Sequence, residues 1–295
     1  MKLTIPQEEL TTSGHTACQG CGAMLAMRYA LKALGPKTIV TIPACCQVVI
    51  TGPVTHTNLN VPMLASAFAS AAAVASGIKA GLEIQGKDNI NVAAWAGDGG
   101  TFDIGIQALS AAAERHEDIF YFCYDNEAYM NTGRQKSSAT PYGSWTMTTP
   151  KENLKSVHKK DIIKIMAAHK IEYIATLSIA HPEDFIRKVK KAVQIKGTKF
   201  FHILSPCPSG WLSKPESTVH IARMAVKTNV FPLYEIEDGE RYTINTKFKE
   251  KTPVEEYLKL QGRYSYITKD MTKEIQHEVD RNWDDLVKKE SVKRD

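Results

Sequence analysis

The stretch Asn91-Val92-Ala93-Ala94-Trp95-Ala96-Gly97-Asp98-Gly99-Gly100 decides the fold. Asn91 to Ala96 is a short, mostly apolar run, the pattern of a strand buried on both faces. It stops at glycines and an aspartate, where a chain turns. A second such run, Ile119 to Tyr124, stops in the same way at Asp125-Asn126-Glu127. Between the two, Asp103 to Arg115 has helical spacing. Two strands that each end in polar residues, with a helix between them, form a parallel βαβ unit.

The pattern continues outward. Met24 to Leu34 predicts a helix closed by Gly35-Pro36, and the β-branched run Thr38 to Ile42 predicts a buried strand. Pro62 to Leu82, rich in Ala, Ser and Gly, predicts one helix in close contact with a neighbour or at a subunit contact. Helices are expected over Lys160–Ala168 and Pro182–Gln194, and strands over Glu172–Leu177 and Lys199–Leu204. This alternation predicts an α/β fold, an open and mostly parallel sheet flanked by helices. Past it lie a possible hairpin over Tyr234–Asn245 around Asp238-Gly239 and helices over Val254–Leu260 and Thr272–Lys289. The expected organisation is a binding domain over residues 1–230, preceded by a polar arm of residues 1–17, and a C-terminal extension over 231–295. There is no internal repeat and no low-complexity block.

The chain has 295 residues, 43% of them hydrophobic and 23% charged, with a net charge of +5 from 37 basic and 32 acidic residues. This is the composition of a globular protein. The excess charge is local, at Lys159-Lys160, Lys188 to Lys191 and the tail Val287 to Arg294. None of these runs is interleaved with aromatics, so they read as solvated helix faces rather than a nucleic-acid surface. Met1 to Pro6 has no long apolar stretch, and the apolar, uncharged run Leu64 to Ile78 is too short and too rich in Ser and Ala to span a bilayer. The expected compartment is the cytoplasm. There, six cysteines are better read as metal or redox chemistry than as disulfides.

In a parallel sheet, ligands bind beyond the carboxyl ends of the strands. Glycines let the backbone approach a phosphate, and the following helix offers free N–H groups to it. Mg²⁺ neutralises a diphosphate and takes oxygen ligands. Asp98 and Asn126, at the two strand ends, offer one carboxylate and one amide oxygen. A lone Gly-Asp-Gly is as well explained by a turn with a capping aspartate. Followed by 26 residues and then Asn126, it resembles the thiamine-diphosphate fingerprint. That resemblance carries Gly97, Asp98, Gly99, Gly100 and Asn126 to the cofactor, with the backbone carbonyl of Ala128 as a third magnesium ligand.

Cys18-Gln19-Gly20-Cys21 has the spacing of a chelate or a dithiol, and no strand precedes it as a thioredoxin-type motif would require. Cys46 follows the Thr38 strand and Cys207 follows the Lys199 strand. Four thiolates suit zinc or a [4Fe–4S] cluster, and spacing does not separate these. Cys45, adjacent to Cys46, is a small buried residue or a fallback ligand, and Cys123 is core. His15 is a simple hydrogen-bonding residue or borders a cofactor.

The flanking residues resemble one family over nearly the whole chain. Gly14-His15-Thr16-Ala17-Cys18-Gln19-Gly20-Cys21-Gly22, Pro43-Ala44-Cys45-Cys46, Tyr124 to Gly133, Ser205-Pro206-Cys207-Pro208-Ser209-Gly210-Trp211 and Lys251 to Leu258 are similar to the beta subunits of 2-oxoacid:ferredoxin oxidoreductases. The resemblance implies that Cys18, Cys21, Cys46 and Cys207 hold a [4Fe–4S] cluster, and the family's spacing selects Cys46 over Cys45. It implies that Asn131 and Thr132 lie near the reacting carbon. No second α/β unit is present to supply the glutamate that thiamine chemistry needs. The resemblance implies that an alpha subunit brings it and that a gamma subunit and a ferredoxin-like delta subunit complete the assembly. The implied reaction is reversible, thiamine-dependent oxidative decarboxylation of a 2-oxoacid with coenzyme A, passing electrons to ferredoxin. The residues around Cys207 look most like the pyruvate enzymes; branched-chain 2-oxoacid, oxalate and 2-oxoglutarate relatives stay open. A thiamine enzyme without ferredoxin would leave the four cysteines unexplained, and a zinc-stabilised binding module would leave the glycine loop unexplained. Absence of brown colour and of iron would favour the first, and stoichiometric zinc without thiamine binding the second.

Overall fold

Val92, Ala94 and Ala96 pack on one side of the central sheet and Ala93 and Trp95 on the other, all at most 2% exposed. A strand sealed on both faces carries an uninterrupted apolar run because successive side chains point to opposite layers. The computed structural model describes residues 5–53 and 56–292. Met1 to Thr4 of the polar arm, and Lys293 and Arg294 of the basic tail, lie outside them.

The first helix, α1 (Gly22–Leu34), leads into β1 (Thr38–Pro43) and the short α2 (Cys46–Ile50). Strand β2 (Met63–Ser66) and helix α3 (Ala71–Ile84) follow, then β3 (Asn91–Gly97), α4 (Ile106–Glu114) and β4 (Phe120–Asp125). After a long loop come α5 (Ile162–Ala168), β5 (Tyr173–Ser178), α6 (Pro182–Val193) and β6 (Lys199–Leu204). The chain continues through α7 (Pro208–Trp211), α8 (Thr218–Lys227), β7 (Tyr234–Glu237), β8 (Arg241–Ile244), α9 (Glu255–Leu258) and α10 (Lys269–Ser291). The eight strands form one sheet in the order β2-β1-β3-β4-β6-β5-β7-β8. All pairings are parallel except β5–β7 and β7–β8. The expected mostly parallel α/β sheet is thus present, and the expected hairpin forms its antiparallel edge.

Helices α1 and α6 cover one face and α3, α4 and α5 the other. Along β4, Phe120, Phe122 and Tyr124 join the first layer, and Tyr121 and Cys123 the second. Cys123 is fully buried, as its apolar setting predicts. The stacked rings of Phe122 and Phe201, 4.6 Å apart, tie β4 to β6. A third cluster joins Trp211 and α8 to Tyr257, Tyr264 and α10, packing the C-terminal segment over one end of the sheet.

Two local expectations need correction. Pro62 to Leu82 is not one helix: Met63 to Ser66 pair in parallel with Val40 to Pro43, and the helix starts only at Ala71. Small residues set a weak local preference, so the free edge of β1 decides the conformation of this stretch. Within α3, Ala71, Ala72 and Ala75 face the core of this chain. Nor does a regular helix start at Asp103. Gly99 to Asp103 form a widened π turn, and α4 begins at Ile106. The Thr101 hydroxyl donates to the Gly97 carbonyl at 2.8 Å, holding that turn against the strand end.

Candidate functional site

Gly97 lies opposite Tyr124 in the β3–β4 ladder, so Asp98 and Asn126 leave the sheet side by side. Asp98 is 1% exposed, and its Oδ2 accepts a 2.5 Å hydrogen bond from Ser137 Oγ. Its Oδ1 faces the Asn126 side chain. The amide oxygen of Asn126 lies 3.0 Å from that Oδ1 and 2.8 Å from the Ala128 carbonyl oxygen. Three acceptors therefore converge on one another. Such a cluster is stable only if the amide turns over to donate or a cation sits among the oxygens. Burial, with the nearby Asp125, pushes the Asp98 carboxyl well above the usual carboxylate range. A cation at the oxygens would relieve that cost.

Asp125 behaves in the opposite way. Burial pushes its carboxyl up, but Lys159 at 2.5 Å and His202 at 2.7 Å outweigh this and hold it down at about 2. The two carboxylates are thus divided: Asp125 is held by Lys159 and His202, while Asp98 Oδ1 faces the Asn126 side chain.

The glycine loop is shaped by close approach. A Cβ on Gly99 would lie 2.3 Å from the Tyr129 ring, and the Tyr129 hydroxyl donates to Asp103 Oδ2 at 2.6 Å. The backbone of the π turn therefore packs flush against the loop after β4. In that loop Glu127 has a φ of +65°, is 4% exposed, and pairs with Lys159 at 2.9 Å and Arg263 at 2.5 Å. The indole of Trp211 donates to the Asn126 carbonyl at 2.8 Å. Asn131 and Thr132 lie further along the same loop and are exposed; Thr132 donates to the Gln135 side chain at 2.7 Å. They line the rim and not the oxygen cluster. His15 is exposed, and its Nδ1 accepts from the Ala17 amide at 3.4 Å.

The sulfur-bearing loops meet beside this site. Cys21 precedes α1, Cys46 opens α2 and Cys207 precedes α7, where its Sγ accepts from the Gly210 amide at 3.4 Å. The Gly22 amide donates to the Pro206 carbonyl at 3.2 Å, closing the Cys18–Cys21 loop onto the Cys207 loop. Gly20, at a φ of +71°, makes this possible, because a Cβ there would sit 2.4 Å from the Pro215 carbonyl oxygen. Burial pushes the Cys46 thiol up to about 12, aided by the neighbouring Cys207, Cys45, Cys21 and Cys18. Burial likewise raises Cys207 to about 11, with Cys21 and Cys18 adding to it. Cys45 is 8% exposed and lies against the Tyr124 hydroxyl and the backbone around Gln47. Cys46 thus has Cys207, Cys45, Cys21 and Cys18 as electrostatic neighbours, and Cys207 has Cys21 and Cys18. Among the described residues, however, no group of three or more His, Cys, Asp or Glu side chains closes on a single metal-ion position.

The thiamine pyrophosphate enzyme C-terminal TPP binding domain matches residues 44–203, which include both strand ends and the oxygen cluster. The ketoisovalerate oxidoreductase subunit VorB of Pyrococcus horikoshii is 53% identical over 97% of this chain and 95% of its own length. The pyruvate synthase subunit PorB of Methanocaldococcus jannaschii is 49% identical over 94% of this chain and 96% of its own length. This chain belongs to the 2-oxoacid:ferredoxin oxidoreductase beta subunits. Among solved structures, a 2-oxoglutarate:ferredoxin oxidoreductase from Magnetococcus marinus superposes with a TM-score of 0.60. That match runs at 20% identity over 76% of this chain and 81% of that one, which shows the fold.

The matched domain supports thiamine diphosphate as a cofactor of this beta subunit, and the ends of β3 and β4 are its candidate site. Several residues that shape it carry no sequence signal. Ser137, Lys159 and Arg263 belong to no motif, and each reaches the site from a loop or turn far from the glycines. Trp211 stood in a quoted motif only as a neighbour of Cys207. No helix among the described residues is long and apolar enough to cross a membrane.

Proposed function

We propose that this chain is the subunit in which thiamine diphosphate, Mg²⁺ and a [4Fe–4S] cluster meet in an enzyme for the reversible oxidative decarboxylation of a small aliphatic 2-oxoacid with coenzyme A. The carrying observation is the convergence of Asp98 Oδ1, the Asn126 side-chain amide and the Ala128 carbonyl beyond the ends of β3 and β4: turned over, the amide donates to both oxygens, and with a cation among them its oxygen joins theirs. Oxygen donors of this kind, one of them charged, fit Mg²⁺ bridging to a diphosphate. Gly97, Gly99 and Gly100 let the turn pack against Tyr124, Tyr129 and Phe68, and Ser137 would hold the Asp98 carboxylate in place for the metal. Cys18, Cys21, Cys46 and Cys207 are the proposed cluster ligands. Their mutual electrostatic proximity supports this, and the turning of Cys45 toward Tyr124 supports Cys46 as the fourth.

When bound, thiamine diphosphate supplies the electron sink for loss of CO₂, and the cluster carries electrons away singly. The chain's own residues would bind the diphosphate end, with Asp98, Asn126 and Ala128 holding its metal and Ser137 fixing the Asp98 carboxylate. Asn131 and Thr132, on the exposed rim, are placed in this reading beside the reacting carbon, where an alpha subunit would close over them and bring the missing glutamate. A gamma subunit, a ferredoxin-like delta subunit and external ferredoxin complete the cytoplasmic assembly. Residues 1–230 form its cofactor domain, and residues 231–295 form the extension packed against it.

Two substrates are supported by different observations. The run Pro206 to Trp211 favours pyruvate, and the 53% identity to a ketoisovalerate oxidoreductase subunit, against 49% to a pyruvate synthase subunit, favours the branched-chain 2-oxoacid. The deciding experiment is ferredoxin reduction by the purified complex with coenzyme A and a panel of pyruvate, 2-ketoisovalerate, 2-oxoglutarate and oxalate. Thiamine and iron content are measured on the same sample. Activity with neither of the first two, or a complex free of thiamine, overturns the reading.

A further inference from the structure

The metal-site loop is gripped from a distant part of the chain. Arg263 lies in the short turn Gly262–Tyr264 between α9 and α10 and is 3% exposed. Its guanidinium sits 3.9 Å over the Trp211 ring, and its Nη2 donates to Glu127 Oε2 at 2.5 Å. Its Nε donates to Gln261 Oε1 at 2.9 Å, which fixes the plane of the fork. Both targets of Arg263 act on one peptide segment. Trp211 Nε1 donates to the Asn126 carbonyl, and Glu127 is the residue between Asn126 and Ala128. Glu127 is held at a φ of +65°, a conformation that a long side chain keeps only when its surroundings hold it there. Lys159 takes the other Glu127 oxygen at 2.9 Å, and the Thr140 hydroxyl donates to the Glu127 carbonyl at 2.8 Å. Glu127 is thus pinned on three sides. A relaxed Glu127 would rotate the peptides on both sides of it, and with them the Asn126 side chain and the Ala128 carbonyl.

We propose that Arg263 is a positioning residue for the cation site: by stacking on Trp211 and pairing with Glu127, it sets the Asn126 and Ala128 oxygens at the spacing a magnesium–diphosphate unit requires. The proposal rests on the reading of Asp98, Asn126 and Ala128 as the cation's ligands. It gives the segment after residue 230 a part in cofactor affinity, in addition to packing. Arginine suits the task where lysine does not, because a planar fork stacks on an indole and still donates in its plane.

The test is thiamine diphosphate binding as a function of Mg²⁺ concentration, on the purified complex, for wild type, Arg263→Gln and Arg263→Lys. Melting temperature and cluster absorbance are recorded alongside. The expected result is a Mg²⁺ requirement raised roughly tenfold or more in Arg263→Gln, the scale seen when a residue behind a metal ligand is removed. Arg263→Lys, which keeps the charge for Glu127 and loses the stack, falls between. Cluster absorbance is unchanged in both. A residue that only anchors the C-terminal segment would lower the melting temperature and leave the Mg²⁺ dependence of every folded variant at the wild-type value; that result overturns the proposal. Should Arg263→Gln fail to fold, Arg263→Lys decides by the same criterion. A wild-type complex that binds no thiamine diphosphate overturns the underlying functional reading, a failure distinct from wild-type-like binding by the variants.

Discussion

Ser137 Oγ donates to Asp98 Oδ2 at 2.5 Å, and this one bond turns the other carboxylate oxygen toward Asn126 and Ala128. The two residues are 39 positions apart. Asp98 ends the strand at the centre of the sheet, and Ser137 lies in the long loop after β4. The hydroxyl satisfies one oxygen of a buried carboxylate without neutralising it, which leaves the charge available to a cation.

Asp98→Ala removes the single carboxylate of the oxygen cluster. The expected outcome is loss of Mg²⁺-dependent thiamine diphosphate binding with iron absorbance intact, read by extracting bound thiamine and by the visible spectrum. Ser137→Ala leaves the carboxylate in place but frees it to rotate. A hydrogen bond to a charged group contributes about 1.5–3 kcal/mol, so Mg²⁺ affinity should weaken roughly 10- to 100-fold. Normal thiamine content in Asp98→Ala would sink the assignment.

Cys45 and Cys46 are adjacent but face different neighbours. Cys46→Ser should bleach the visible absorbance and stop ferredoxin reduction, because in the proposed reading its thiol is the fourth ligand beside Cys18, Cys21 and Cys207. Cys45→Ser should keep the cluster, since its thiol faces Tyr124. The reverse pattern would exchange the two assignments. Iron content unchanged in both variants would remove the cluster from this site.

Gly99→Ala places a methyl 2.3 Å from the Tyr129 ring. The ring must move, breaking its 2.6 Å bond to Asp103 and reshaping the π turn. Overpacking of this kind costs about 1–3 kcal/mol. A lower melting temperature and weaker thiamine diphosphate binding are expected together. A fall in melting temperature alone would mean that the turn has no part in holding the cofactor.

The edge hairpin contributes an acid-sensitive element. Glu235 is 3% exposed and is held by Tyr173 at 2.6 Å, Lys191 at 2.8 Å and Arg187 at 2.9 Å. Burial alone would raise its carboxyl, but Lys191, Tyr173 and Arg187 outweigh that and bring it from 4.5 down to about 2. A folded value below the unfolded one means stability that is fully present above pH 4.5 and lost as the pH falls toward about 2. Denaturant melts of wild type and Glu235→Gln should therefore differ most near neutrality and converge across that acid window. A gap that stays constant with pH would show that the ion pairs contribute nothing.

Much of the fold was legible because it is local. A run such as Ile119 to Tyr124 has too few polar residues to be anything but a buried strand, and Gly35-Pro36 stops a helix wherever it stands. The exceptions have physical causes. Met63 to Ser66 became a strand because β1 offered an unpaired edge, a fact located more than twenty residues away in the chain. The π turn at Gly99 follows from Gly105 packing against the Gly100 carbonyl, where a Cβ would lie 2.1 Å away. The candidate site divides in the same way. Asp98 and Asn126 were visible because each ends a strand, and the cysteines because of their spacing and flanks. Ser137, Lys159 and Arg263 were not, since a serine in a loop or an arginine in a turn matches no period.

By itself the sequence determined the alternation of strands and helices, the pairing of a glycine-aspartate end with an asparagine end, and the family. These follow from composition along short windows, where the backbone's periods of 2 and 3.6 residues leave a direct record. Only the tertiary structure decided that Asp98 Oδ1, the Asn126 side-chain amide and the Ala128 carbonyl come together, that Cys45 lies against Tyr124, and that Arg263 closes on Glu127 from 136 residues away. Those relations depend on side-chain direction and on contacts between distant segments. They come into being only when the two faces of the sheet have been covered and the C-terminal segment has packed down over the strand ends.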